Sequence, residues 1–233
     1  MAGRWPTYVG WIGIVQLLTA CSGEPATDNA SVPAASTHQN AAPAADARLV
    51  VAFGDSLYAG YGVAQSENFP NALQRALDSR GVAAEVRNAG VSGETTLGGR
   101  QRLDFTLDGL PRKPDLLLLG LGGNDMLRGL DPAQSEANLR AILDRLRVLG
   151  IPVMLTGMRA APNMGADYAN KFDAIYPRLA REYGIPLYPF FLDGTIGNPK
   201  LMQADSIHPN PAGVAGIAGK IAPLVAERLK PQT

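Results

Sequence analysis

The amino-acid sequence predicts a three-layer α/β/α fold on a five-stranded parallel sheet. Three observations predict it. Short, continuous apolar runs recur along the chain, most of them ending at glycine or asparagine, which is the pattern of strands buried on both faces. Amphipathic stretches with capping residues at their ends separate these runs, as the helices of a parallel sheet must. The polar clusters that could carry chemistry fall in loops after the runs, where the carboxyl edge of such a sheet places its functional residues.

The first strand is expected at Leu49–Phe53, ending at Gly54, and the second over residues 83–88, ending at Asn88. Leu116–Leu119, Val153–Thr156 and the shorter pair Leu187–Tyr188 read as the remaining three. Between the first two strands, Phe69 to Arg80 forms a helix closed by Gly81, a residue that takes the left-handed conformation without penalty. Asp131–Pro132 supplies an N-cap and a first-turn proline for a helix running to Leu149 and stopping at Gly150. Tyr168 to Tyr183 reads as one helix ending at Gly184, and Asn210–Pro211 opens a last helix that reaches Leu229. Right-handed crossovers then place helices on both faces of the sheet.

Residues 48–233 are read as this one domain, which leaves little room for a second core. The residues before it read differently. Met1 to Thr19 carries Arg4 and then an apolar run from Tyr8 to Leu18, too short and too glycine-rich for a membrane span but suited to a signal peptide. Leu18-Thr19-Ala20-Cys21 follows and resembles the lipobox of bacterial lipoprotein precursors. That resemblance implies a diacylglycerol thioether on Cys21 and cleavage before it, so that residues 1–20 are a leader. The alternative is an ordinary signal cleaved after Ala20, with Cys21 a free thiol. Residues 21–47, rich in Ala, Pro, Ser and Asn, have no hydrophobic periodicity and read as a flexible tether. The expectation is export and anchoring in the periplasm, with the outer membrane favoured by Ser22 after the cysteine. A soluble periplasmic or secreted protein is the other reading.

Apolar residues make up 46% of the chain and charged ones 18%, a composition that can support a packed core. Lys plus Arg and Asp plus Glu both number 21, which gives no argument for a nucleic-acid partner. Cys21 is the one cysteine, so an intrachain disulfide and a cysteine-based metal cluster are ruled out. The two histidines are His38, in the tether, and His208. The chain is expected to act as a monomer on a small-molecule or lipid ester, and no metal or other cofactor is implied.

Four polar blocks carry the chemistry: Gly54-Asp55-Ser56-Leu57, Asn88-Ala89-Gly90-Val91-Ser92-Gly93, Gly122-Gly123-Asn124-Asp125 and Asp205-Ser206-Ile207-His208-Pro209. Serine is a poor nucleophile until a base takes its proton during attack, and His208 is the one credible base in the domain. Asp205 lies three residues earlier, close enough in sequence to hold Nδ1 and leave Nε2 for Ser56. Gly-x-Ser-x-Gly does not occur, so the usual α/β-hydrolase elbow has no support.

Together the blocks resemble those of the SGNH or GDSL hydrolases, whose fold is of the flavodoxin-like type. Gly54 to Tyr61, Gly122 to Gly129, Phe172 to Ala180 and Pro189-Phe190-Phe191 are most similar to the bacterial acyl-CoA thioesterase I group, also described as protease I, lysophospholipase or arylesterase. The resemblance implies an acyl-enzyme on Ser56 and an oxyanion hole made by the N–H groups of Ser56 and Gly90 and the side-chain amide of Asn124. The tethered lipobox departs from that group and makes a cytosolic acyl-CoA pool an unexpected substrate. Met126, Met164 and Ile207 are candidates for the acyl-binding surface, because thioether side chains adapt to varied shapes. Short to medium acyl esters and aryl leaving groups are expected. Two alternatives remain open: a carbohydrate O-acetylesterase acting on envelope glycans, and a non-catalytic lipid-anchored binding protein on a hydrolase fold.

Overall fold

The structure is a computed structural model that describes residues 47–230. The leader, Cys21, His38 and most of the expected tether lie outside the described residues. Five parallel strands form the sheet: β1 (Arg48–Gly54), β2 (Ala84–Gly90), β3 (Leu116–Gly120), β4 (Val153–Thr156) and β5 (Leu187–Tyr188). Their order across the sheet is β2-β1-β3-β4-β5. After β1 the chain goes to one side for β2 and then crosses to the other for β3. This reversal opens a crevice outside the carboxyl ends of β1 and β3, where ligands bind in sheets of this order. The register brings Gly54 level with Gly90 on one side and with Gly120 on the other. Leu49–Phe53 and Leu116–Leu119 are buried throughout, as strands covered on both faces require.

The helices are α1 (Ser56–Ala59), α2 (Phe69–Asp78), α3 (Thr96–Asp108), α4 (Gly123–Leu127), α5 (Pro132–Val148), α6 (Ala166–Asp173), α7 (Ile175–Tyr183) and α8 (Pro211–Leu229). They gather in two sets, α2 against α8, and α5 against α3, α6 and α7. The expected caps recur: the Asp131 side chain accepts from Ala133 N–H, and Asn210 from Gly213 N–H. Gly81, Gly150 and Gly184 all take positive φ past the ends of their helices.

Two helical expectations need correction. Residues 168–183 form not one helix but the end of α6 and all of α7, with the break at Ala174. Pro177 has no N–H to donate to Asp173, four residues earlier, and its ring crowds that carbonyl, which favours a break in the helix here. The second correction is α3, which has no counterpart among the expected helices. Its sequence, TLGGRQRLDFTLD, carries two adjacent glycines and lacks a continuous apolar stripe. Tertiary packing explains one of those glycines, since a Cβ at Gly99 would lie 2.3 Å from the Leu121 side chain.

Candidate active site

The site begins with how α1 is seated. This helix has four residues, too few to persist alone, and it is held by Tyr58. The Tyr58 ring is buried over the ends of β1 and β3, between Phe69 and Phe191 at centroid distances of 4.8 and 5.3 Å. Its hydroxyl shares a 2.7 Å hydrogen bond with Thr156 Oγ1. Gly54 and Gly120 are glycines for this reason: a Cβ on either would lie within 2.6 Å of the Tyr58 ring. Asp55 caps the helix by accepting from Leu57 N–H at 3.0 Å.

Ser56 is thereby presented at the carboxyl edge of β1, directly opposite the loop that carries His208. Ser56 Oγ lies 2.9 Å from His208 Nε2, and His208 Nδ1 lies 2.7 Å from Asp205 Oδ2. The other Asp205 oxygen accepts from the N–H groups of Ile207 and His208, at 2.9 and 3.0 Å. Partial desolvation raises the Asp205 carboxyl, but the His208 and Ile207 amides and the imidazole outweigh it and hold the carboxyl at about 2. Asp205 is therefore ionised wherever His208 can act as a base. One face of the imidazole is covered by Tyr61, with ring centroids 4.4 Å apart. This arrangement can pass a proton from Ser56 to His208 while Asp205 fixes the tautomer and stabilises the imidazolium.

Asn124 follows β3 on α4 and lines the same cleft, and its side-chain amide has no hydrogen-bond partner among the described residues. Its neighbour Asp125 points the other way, into a buried polar network. The Asp125 carboxylate accepts from Thr96 N–H at 2.8 Å, from Thr96 Oγ1 at 2.5 Å and from Ser135 Oγ at 3.1 Å. These bonds fasten α4 to the starts of α3 and α5 and so fix the backbone that carries Asn124.

Gly90 departs from expectation. Its N–H donates to Asn88 Oδ1 at 2.8 Å, so it is not free for an oxyanion; neither Gly90 nor Gly93 is among the residues that line the cleft with Ser56. A Cβ at position 90 would lie 2.3 Å from Ala59 N, so the glycine lets the end of α1 lie directly against β2. Close approach, not an oxyanion, is what requires glycine there. On the loop that follows, the amides of Ser92, Gly93 and Thr95 have no hydrogen-bond partner among the described residues. Gly93 has φ of 79° at the third position of a turn closed by Glu94 N–H to Val91 C=O, 3.2 Å. Its carbonyl accepts from Arg128, which caps the helix carrying Asn124. The Ser-Gly pair at the end of the second block was the available sequence signal for this turn.

The cleft beside Ser56 has a volume of about 450 Å³, within the range of small-ligand sites, and its lining is mostly apolar. Met126 and Ile207 are in that lining, whereas Met164 is not; Met164 packs, partly buried, against the core. Met158, Phe190, Leu192 and Ile196 also line the cleft and were not among the expected residues. They come from the loops after β4 and β5, and nothing in their local sequence separates a cleft wall from ordinary core. Among the described residues no cluster of His, Cys, Asp and Glu has the arrangement of a metal site.

Residues 52–215 match the family described as GDSL-like lipase/acylhydrolase. The chain is 37% identical over 190 residues to the arylesterase of Vibrio mimicus, an alignment spanning 82% of this chain and 94% of that protein. It is 41% identical over 169 residues to thioesterase 1/protease 1/lysophospholipase L1 of Escherichia coli, spanning 72% of this chain and 78% of that one. Among solved structures, AlinE4, an SGNH-hydrolase family esterase, superposes with a TM-score of 0.68 at 48% identity, covering 80% of this chain and 98% of its own. A match of this extent, to relatives that are ester hydrolases, settles the family: the chain belongs to the GDSL-like lipase/acylhydrolase family and is a serine ester hydrolase of it.

Proposed function

We propose that Ser56 is the nucleophile, His208 the general base and then general acid, and Asp205 the residue that orients and stabilises the imidazole. The observation that carries this reading is the continuous hydrogen-bonded path from Ser56 Oγ through His208 to Asp205, with bonds of 2.9 and 2.7 Å, opening on an apolar cleft. Ser56 Oγ attacks the ester carbonyl while His208 Nε2 takes its proton. The tetrahedral intermediate collapses as His208 returns that proton to the leaving alcohol oxygen. Water, activated by the same histidine, then releases the acid and restores Ser56. The oxyanion is received by the Ser56 N–H and the Asn124 amide, and the Gly93 N–H takes the place that the family resemblance assigned to Gly90.

The substrates are carboxylic esters with short to medium acyl chains and aryl or lipid leaving groups. Each methylene buried against Met126, Met158, Phe190 or Ile207 contributes about 0.8 kcal/mol to binding. An apolar lining supports this reading over an acetylated glycan, whose hydroxyl-rich body needs polar partners. The names arylesterase and lysophospholipase among its relatives support it further. The protein is exported as residues 21–233 and anchored through Cys21 at the periplasmic face of a membrane. β1 starts at the amino edge of the sheet and ends beside Ser56, so Arg48 lies at the edge away from the cleft.

The test compares the wild type with Ser56→Ala on p-nitrophenyl acetate, butyrate and octanoate. Loss of about ten-thousandfold or more in kcat from a folded variant is expected. Turnover persisting in Ser56→Ala would remove the assignment, and a rate rising steadily to long-chain esters would remove the acyl preference.

A further inference from the structure

We propose that Gln203 is a positioning residue that sets the distance between Ser56 and His208, an inference that rests on the roles assigned to those two residues above. His208 stands on a loop, residues 202–209, whose own shape is well secured. Met202 pairs with Pro209 in an antiparallel bridge, Gln203 N–H donates to His208 C=O at 2.8 Å, and Ser206 N–H donates to Gln203 C=O at 3.0 Å. Ser206 has φ of 57°, the one non-glycine residue with positive φ among the described residues, and the loop's bonds hold it there. None of these bonds places the loop relative to the nucleophile.

That placement comes from the Gln203 side chain. Its Nε2 donates to Tyr61 C=O at 2.7 Å and to Pro209 C=O at 2.9 Å, so one amide grips the turn after the nucleophile helix and the residue after the base. Tyr61 is itself tied to the nucleophile, since its N–H donates to Ser56 C=O at 3.1 Å. Among the described residues, the Gln203–Tyr61 bond is the one hydrogen bond besides Ser56–His208 that links residues 54–62 to residues 202–209. The result is a closed ring: Ser56, Tyr61, Gln203, His208 and back to Ser56. The same grip holds the Tyr61 ring over the imidazole. The turn is shaped to receive the amide, because a Cβ at Gly62 would lie 2.1 Å from Gln203 Oε1. Gln203 touches neither the reacting atoms nor the cleft, so its effect passes through His208.

The experiment measures kcat and KM on p-nitrophenyl butyrate for Gln203→Ala, Gln203→Glu and Ser56→Ala, with circular dichroism confirming the fold of each. Misplacing a catalytic group by about 1 Å costs on the order of a hundredfold, so Gln203→Ala is expected to lose tenfold to a hundredfold in kcat with KM within about twofold. Gln203→Glu keeps the shape but turns an acceptor toward two carbonyl oxygens. Its rate relative to wild type is expected to rise from pH 8 to pH 5, as the carboxyl takes up a proton and regains one donor. Should Gln203→Ala fail to fold, the isosteric Gln203→Glu series carries the test. A folded Gln203→Ala with kcat within twofold of wild type, a loss confined to KM, or a flat Gln203→Glu ratio across that pH range would overturn the proposal. Turnover surviving in Ser56→Ala would instead overturn the reading beneath it.

Discussion

Asp55, directly before Ser56, is 2% exposed, and its carboxyl accepts one hydrogen bond, from Leu57 N–H. Burial, with the Asp125 and Glu94 carboxylates adding repulsion, pushes its carboxyl up from the usual carboxylate range to about 7. The sign follows. Between about pH 4 and pH 7 the folded protein holds a proton on Asp55 that the unfolded chain gives up, so this residue's contribution to stability falls as pH rises through that window. The fall is at most about 1.4 kcal/mol per pH unit. Asp55→Asn keeps the cap and removes the titration, so its melting temperature relative to wild type should climb from pH 4 to pH 8. A constant difference across that range would contradict the assignment. Asn124 makes a different kind of contribution. Its amide is available to an oxyanion and to nothing else among the described residues, so Asn124→Ala should lower kcat by about a hundred- to a thousandfold while leaving the melting temperature nearly unchanged. Kinetics and thermal melts on the same preparation check both parts.

At the scale of elements, the site depends on short pieces held by long ones. A four-residue helix carries Ser56, the proposed nucleophile, and its seat is made by Tyr58, by the glycines of β1 and β3, and by Gly90 on β2. Gly90→Ala would drive a methyl group into the Ala59 backbone, which cannot move without taking α1 along. The expected outcome is a destabilisation of about 1–3 kcal/mol together with a slower kcat, as Ser56 leaves its alignment with His208. Chemical denaturation and ester kinetics would show the two losses together; a kinetic loss with full stability would return Gly90 to the oxyanion hole. The long helices were legible because their signals are local: Asp131–Pro132 and Asn210–Pro211 announce a first turn, and Gly150 and Gly184 a last one. The short helix α4 and the break at Ala174 were not read from the sequence. A four- or five-residue helix is too short to show a period, and the proline that ends α6 was outweighed by the apolar spacing on both sides of it.

For the whole molecule, the strand order decides where chemistry can occur. The crossing between β2 and β3 leaves a crevice, and the loops after β1 and β3 meet there with Ser56 and Asn124, while the loop before α8 brings His208 across. The described domain contains every residue assigned a catalytic role, so a chain starting at Ala47 should fold and hydrolyse p-nitrophenyl butyrate at the full-length rate. In cells of a bacterium that processes lipoproteins, Cys21→Ser should move the protein from the membrane fraction to the soluble periplasmic fraction with its esterase activity intact. Retention in the membrane fraction would count against the anchor.

The sequence by itself determined the layers, the five strands and the helices opened by Asp131–Pro132 and Asn210–Pro211, and it singled out Ser56, His208 and Asp205 as candidates, because each rests on local information: an apolar run, a cap, a scarce residue type. Only the tertiary structure decided what depends on residues far apart in the chain. It showed that the Gly90 amide is spent on Asn88 and that Gly90 is glycine for the sake of α1. It turned Met164 toward the core and brought Phe190 and Met158 to the cleft. It also closed Gln203 onto Tyr61, across 142 positions. A glycine in a sequence looks the same whether a ligand or a neighbouring backbone needs the space, and an apolar side chain looks the same in a core or a cleft wall. The difference lies in what packs against each one, and that is set by the fold of the whole chain.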